Sequence, residues 1–124
     1  MNQSEQIQNL IQIARDAIRL GEPSKAMRLY NRILKQFPHH PETTIQKIEL
    51  LQQSQEYDAA ISLCEELVTA HPKNKNHLLL LGRIYCTVAQ YEKSEQVLLR
   101  SLQLDQKDVN VWCSLAHTIR KRGQ

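Results

Sequence analysis

The chain has 124 residues, 41% of them hydrophobic, with 16 Lys and Arg against 13 Asp and Glu for a formal charge of +3. That apolar content excludes a disordered tail, and so mild a charge excludes the strongly basic footprint of a nucleic-acid binder. The cysteines, Cys64, Cys86 and Cys113, form no Cys-x2-Cys pair, the N-terminus lacks the apolar core of a secretory signal, and the longest run of large apolar residues is Leu78–Leu81. These features point to a reduced, cytoplasmic setting without membrane insertion.

The first predicted helix covers Ser4–Leu20, with Ser4 as N-cap and Ile7, Leu10, Ile13, Ala14 and Ala17 on its inward face. Gly21-Glu22-Pro23 ends it and opens a second helix, which carries Ala26, Met27, Tyr30, Ile33, Leu34 and Phe37 and stops at Pro38. His39-His40-Pro41 reads as a turn and not as a metal site. Adjacent histidines flanked by prolines diverge, and no third ligand lies at a suitable spacing. The third helix, Pro41–Ser54, places Thr44 and Lys47 where its neighbours place large apolar groups, and Ile48 where they place small ones. It is expected to be rotated or loosely packed, Leu50 and Leu51 compensating, with the Lys47 stem laid over apolar surface.

A fourth helix follows with Tyr57, Ala60, Ile61, Cys64, Leu67 and Val68, and ends at His71-Pro72. Cys64 is expected to be a buried structural thiol. Asn76–Asp105 then holds two stripes, Leu78-x2-Leu81-Gly82-x2-Tyr85 and Val97, Leu98, Leu102, Leu104, separated by a polar break at Gln90. These are the fifth and sixth helices, and Gly82 lets a neighbouring helix approach closely. A seventh helix starts at Val109. Its expected inward stripe is Trp112, Leu115, Ala116 and Ile119, which leaves Val109, Val111 or Cys113 partly exposed.

The pattern repeats every 34 residues without an insertion: Leu10, Thr44, Leu78 and Trp112 share one phase, and Ala14, Ile48, Gly82 and Ala116 another. Ala17, Leu51, Tyr85 and Ile119 share a third, and in the second helices Ala26, Ala60 and Ser94 align. With its Leu-Gly-x2-Tyr spacing, the chain resembles the tetratricopeptide repeat (TPR) family. The resemblance implies an all-α, right-handed α-solenoid of antiparallel helix hairpins with seven helices. Its units would be 7–40, 41–74, 75–108 and the first helix of a fourth, 109–122, in a single domain. Gly123-Gln124 falls at the phase of Gly21-Glu22, so the chain reads as a fragment of a longer protein, with a polar native cap as the other reading.

No Gly-rich phosphate loop, Gly-x-Ser-x-Gly or His-Glu-x-x-His is present, so neither catalysis nor a cofactor is expected. The resemblance implies instead a concave groove lined by the first helix of each unit. By phase its residues are Arg15, Glu49, Arg83 and His117, then Arg19, Gln53, Thr87 and Lys121, with Gln8, Gln12, Gln46, Asn76, Asn110 and Ser114 upstream. Such a groove is rich in amides and basic at both ends, with Glu42 and Glu49 near its middle. It would hold a peptide or protein segment carrying acidic residues. TPR co-chaperones that bind acidic chaperone C-termini use a clamp of Lys, Asn and Arg. The matching positions here are Ile11, Arg15, Gln46, Asn76 and Leu80 or, one unit later, Ile45, Glu49, Leu80, Asn110 and Ser114, and neither set supplies it. The leading expectation is a protein-interaction scaffold. The alternative is a regulatory or substrate-docking module of a larger enzyme such as a sulfotransferase or glycosyltransferase. Weak self-association through the C-terminal helix is a further expectation. Arg120-Lys121-Arg122 reads as charge favourable to a helix C-terminus, not as a nucleic-acid patch.

Overall fold

The computed structural model describes residues 2–124. The described residues form seven α-helices and no strand: α1 Gln3–Arg19, α2 Pro23–Gln36, α3 Pro41–Gln53, α4 Tyr57–Ala70, α5 Lys75–Thr87, α6 Tyr91–Leu104 and α7 Val109–Arg122. The helices divide into two compact units, one ending at Glu56 and holding α1–α3, the other Tyr57–Gln124 and holding α4–α7. The division falls inside the second repeat, between its two helices.

The turns carry the period as clearly as the helices do. After α1 the Glu22 N–H donates to the Ala17 carbonyl at 2.7 Å and the Gly21 N–H to Ile18 at 3.1 Å, a six-residue closure around a left-handed residue. The same closure recurs after α3, from Glu56 to Leu51, and after α5, from Gln90 to Tyr85. The left-handed residues are Gly21 (φ 82°), Gln55 (φ 60°) and Ala89 (φ 63°), so two of the three turns force a side chain into a region that favours glycine. The turns that open the next repeat are capped by position and not by residue type. His40 Nδ1, Asn74 Oδ1 and Asp108 Oδ1 each accept from backbone N–H groups at the start of the following helix. The first cap departs from expectation. Asn2, not Ser4, accepts the Glu5 N–H at 2.8 Å, because an equally good cap two residues upstream takes the helix start with it.

In the first unit the core lies between α1 and α2 and is closed by α3. Ala14, Ala17 and Ala26 are small enough for the helices to approach closely, and Tyr30 and Leu50 seal the cluster they form. Ile7, Ile11 and Ile33 make a second cluster with Leu10 and Phe37 against it. The inward stripe of α1 is therefore Ile7, Ile11, Ala14 and Ala17, and the expected member Ile13 is 46% exposed. The 3.6-residue turn brings Ile11 into line with Ile7 and Ala14 and carries Ile13 past the edge of α2. In α3, Thr43, Thr44, Ile48, Leu50 and Leu51 are buried. Thr44 is accommodated because its hydroxyl donates to the His40 carbonyl at 3.0 Å, and Lys47 is half-buried.

In the second unit Gly82 does what its place in the stripe suggests. A Cβ there would lie 2.6 Å from Leu98 Cδ2 and 2.7 Å from Leu98 Cγ, so α6 packs against the α5 backbone itself. The Ser94 hydroxyl of α6 donates to the Gly82 carbonyl at 2.7 Å and also meets Thr118 Oγ1 of α7 at 3.1 Å, which ties three helices at one point. Cys64 is buried, and burial pushes its thiol up to about 12, as expected of a structural cysteine. Helix α7 keeps only Leu115 of its expected stripe. Val111, Leu115 and Thr118 face inward, Val111 and Leu115 joining Leu79, Leu98 and Leu102. Trp112, Ala116 and Ile119 are exposed, and the Trp112 indole N–H donates to the Gln106 carbonyl at 2.7 Å. The inward face of α7 is the one that meets α6.

Candidate functional site

The groove-phase residues lie on the odd-numbered helices, and each unit holds its own set. In the first unit these are Gln8, Gln12, Arg15 and Arg19 on α1 and Gln46, Glu49 and Gln53 on α3. All are exposed except Gln46, which is half-buried. In the second unit they are Asn76, Arg83 and Thr87 on α5 and Asn110, Ser114, His117 and Lys121 on α7. Again all are exposed but one, the half-buried Ser114. Helical period explains Arg15, Glu49 and Arg83: each follows a buried residue, Ala14, Ile48 or Gly82, and turns about 100° away from it.

The two sets are bonded differently. On the first unit, Glu42 of α3 accepts from Gln8 Nε2 at 2.7 Å and stands 4.0 Å from the Arg15 guanidinium, while Asp16 takes Gln12 at 3.1 Å and Arg19 at 2.6 Å. Both arginines of this face are thus engaged with carboxylates of their own unit. The Tyr30 hydroxyl is buried without a partner, close enough to Arg15 and Glu49 for both charges to act on it, and desolvation raises its pKa.

On the second unit, α5 and α7, with Tyr91 of α6, form an open cavity of about 580 Å³ lined by Arg83, Cys86, Thr87, Tyr91, Cys113, Ser114, His117, Thr118 and Lys121. No carboxylate lines it. Arg83 Nε donates across the cavity to Ser114 Oγ at 3.3 Å, which sets the guanidinium between the two helices. Neither Arg83 nor Lys121 makes an ion pair among the described residues, since Arg122 is the α7 cation that binds Glu95. His117 Nδ1 lies 3.2 Å from Arg120 at the cavity rim. The lining thus offers two cations, an imidazole and four hydroxyl-bearing side chains to a group that brings negative charge and acceptor oxygens. Asn76 and Asn110 lie outside this lining. Cys86, Cys113, Thr118 and Tyr91 were not among the expected groove residues. The first three border the expected phases on the same helices, and Tyr91 opens α6.

His40 serves as the cap of α3, and among the described residues no group of three or more His, Cys, Asp or Glu is placed to hold a metal ion.

The tetratricopeptide repeat family model matches residues 17–68 and 51–117. The chain belongs to the tetratricopeptide repeat family. The two matches together run through both units, and the all-α fold of helix hairpins that the repeat implied is the fold of this TPR chain. No curated protein matches it. Among solved structures, the first TPR of Spaghetti (RPAP3), bound to the HSP90 peptide SRMEEVD, aligns with a TM-score of 0.81 at 14% identity, covering 98% of this chain and 96% of that one. The Sgt2 TPR domain from Aspergillus fumigatus also gives 0.81, at 20% identity over 95% of this chain and 80% of that one. MamA from Desulfovibrio magneticus RS-1 gives 0.77 at 25% identity, over 94% of this chain and 66% of that one. Likeness at 14 and 20% identity establishes the TPR fold and nothing finer.

Proposed function

We propose that this TPR chain is a protein-interaction scaffold in the cytoplasm, and that it holds a peptide or protein segment whose acidic residue enters the cavity between α5 and α7. The observation that carries this reading is that the cavity is lined by Arg83, His117 and Lys121 and by no carboxylate. A cavity with that balance favours an anionic group, and a guanidinium braced by Ser114 can offer its remaining N–H groups as a fork to a carboxylate. On the same unit the exposed amides Asn76 and Asn110 can donate to and accept from a peptide backbone. The clamp by which TPR co-chaperones hold acidic chaperone C-termini is not matched here, since Ile11, at one of its polar positions, is 1% exposed. The cytoplasmic assignment rests on Cys64, Cys86 and Cys113, all free thiols. No helix of the described residues is long and apolar enough to cross a membrane. Binding, and not catalysis, is the activity assigned.

Selection of a displayed random-peptide library on the wild-type chain tests the reading. Enriched peptides should carry Asp or Glu. Their affinity for the Arg83→Glu, Lys121→Glu double variant should fall by a few-fold to about tenfold, since each exposed pair is worth only about 0.2–1 kcal/mol. Higher salt should weaken binding in the same direction. Glu66→Lys, on the outer face of α4, should leave it unchanged. Peptides without acidic enrichment, or equal binding by the double variant, would overturn the assignment.

A further inference from the structure

The hydrogen bonds around the α5–α7 cavity specify more than a preference for negative charge. Of its four hydroxyls, two are committed to their own helices: Thr87 donates to the Arg83 carbonyl at 3.0 Å and Thr118 to the Ser114 carbonyl at 2.9 Å. Ser114 Oγ accepts from Arg83 Nε at 3.3 Å, so its own hydrogen is free to turn to a ligand, as are the two terminal amino groups of that guanidinium. His117 is set by its neighbour. Arg120 can only donate, so the 3.2 Å contact makes His117 Nδ1 the acceptor and puts the proton of the neutral ring on Nε2. Lys121 adds an ammonium and Tyr91 a phenol.

What the lining holds out is therefore hydrogen. It comes from Arg83 on α5, Tyr91 on α6 and Ser114, His117 and Lys121 on α7, with two full positive charges among them and no carboxylate. A carboxylate uses this set poorly. Its two oxygens lie in one plane and share one charge, so the Arg83 fork alone answers it and the second cation is left without a counterion. A phosphomonoester has three terminal oxygens set as a tripod and carries about −1.5 to −2 charge at neutral pH. It can face three helices at once and match both cations. At about 580 Å³ the open cavity also has room for the phosphate together with the residue that bears it.

We infer that the cavity is a phosphomonoester site, and that its occupant is a phosphoserine or phosphothreonine of the bound segment, so that phosphorylation of the partner switches binding on. This rests on the acidic-peptide reading above and narrows it. A peptide is the bearer that the surroundings favour, since the exposed amides Asn76 and Asn110 lie on the two helices that form the cavity and can pair with backbone beside the phosphate.

Short fluorescent peptides with a fixed central phosphoserine, glutamate or serine and degenerate flanks are the probes, read by anisotropy against the 124-residue chain. The phosphoserine pool should bind about tenfold or more tighter than the glutamate pool, and the serine pool most weakly. Lys121→Gln should weaken the phosphoserine pool by about three- to tenfold and the glutamate pool by less, because a dianion loses more than a monoanion with the second cation. Lys73→Gln, exposed in the turn before α5, should change neither. Both substituted residues are exposed, and circular dichroism confirms that the fold persists. Equal affinity for the phosphoserine and glutamate pools, both lost in the Arg83→Glu, Lys121→Glu double variant, would overturn the phosphate site and leave the acidic-peptide reading standing. Binding of neither pool, or binding of both undiminished by the double variant, would overturn the two together. A preference for phosphoserine that Lys121→Gln leaves intact would put the site elsewhere and overturn the inference as well. Vesicles of phosphatidylcholine and phosphatidic acid present the same phosphomonoester on a membrane. Co-sedimentation with them, while the phosphoserine pool fails to bind, would overturn the peptide as its bearer.

Discussion

Arg15 and Arg83 occupy the same place in the first and third repeats, yet only one of them is available. Arg15 faces Glu42 at 4.0 Å, whereas Arg83 is braced by the neutral Ser114 at 3.3 Å beside a cavity without carboxylates. Both are exposed arginines at the groove phase of a first helix, and position in the repeat cannot tell them apart. The difference lies in the neighbouring helix, which supplies an acid in one unit and a hydroxyl in the other. Phase fixes where a side chain stands. The partner that phase brings alongside fixes what it can bind.

If that is the right division of labour, equivalent positions should respond differently to the same substitution. The largest contrast is expected between Ile13 and Leu81, which share a phase although Leu81 is 3% exposed and Ile13 46%. Leu81→Ala should cost about 2–5 kcal/mol as a large-to-small change in a packed core. Ile13→Ala should stay within about 0.5 kcal/mol, as surface substitutions do. Urea unfolding of the two variants checks both values. Similar losses would mean that Ile13 is covered in solution and that the α1 stripe is wider than Ile7, Ile11, Ala14 and Ala17.

The next contrast is between Ala14 and Gly82. In the first unit the gap between α1 and α2 holds the Ala14 methyl, fully buried; in the second, the same methyl at Gly82 would meet Leu98 at 2.6 Å. Overpacking costs about 1–3 kcal/mol, and alanine returns about 1 kcal/mol of helix propensity over glycine. Gly82→Ala should therefore lose roughly 1 kcal/mol net, read from the urea midpoint. A gain in stability would show that Leu98 turns aside freely and that α5 and α6 are less closely fitted than α1 and α2.

A smaller effect of opposite sign belongs to the turns. Gly21 takes its left-handed conformation in open space, with nothing within 4 Å of where a Cβ would stand, while Ala89 holds φ 63° with a side chain. A left-handed L-residue costs roughly 1–2 kcal/mol and glycine loses somewhat more chain entropy on folding, so Ala89→Gly should stabilise by about 0.5–1 kcal/mol. Thermal unfolding measures it, and no gain in Tm would mean that the Ala89 side chain makes contacts that offset its strain.

These contrasts also separate what the sequence revealed from what it concealed. The 34-residue phase located every hairpin, the buried Cys64 and the close approach at Gly82, because each follows from spacing plus residue size. It misplaced Ile13 on α1 and all but Leu115 of the inward face of α7. On the later first helices the phases that face back along the repeat are Thr43, His77 and Val111, and then Leu50, Ile84 and Thr118, all buried. Residues so mixed in polarity give no hydrophobic signal, whereas Trp112 and Ile119 give a strong one and are exposed. The groove residues were legible as positions. Which cations were already neutralised was not, because that depends on Glu42, Asp16 and Ser114 reaching them from particular directions.

The smallest expected effect concerns Thr43 and His77, again one phase in adjacent repeats. Thr43 is fully buried, and its hydroxyl lies 2.8 Å from His40 Nδ1, so its polar group is satisfied. His77 is also buried, but its Nδ1 has no hydrogen-bond partner, and its ring meets that of His71 edge-on at 5.5 Å. Burial first, and the His71 charge second, hold its pKa below the ordinary 6.5. The folded state therefore favours the neutral imidazole. As pH falls through the ordinary value the unfolded chain takes up a proton that the folded chain refuses, so stability declines with falling pH until the lowered folded value is reached and then levels off. His77→Thr, which copies the first unit, should remove that part of the acid loss. Urea unfolding at a series of pH values from neutral to mildly acidic measures the difference between the two curves. Parallel curves for wild type and His77→Thr would show that the imidazole finds a partner in solution, and the two repeats would then be alike at this position after all.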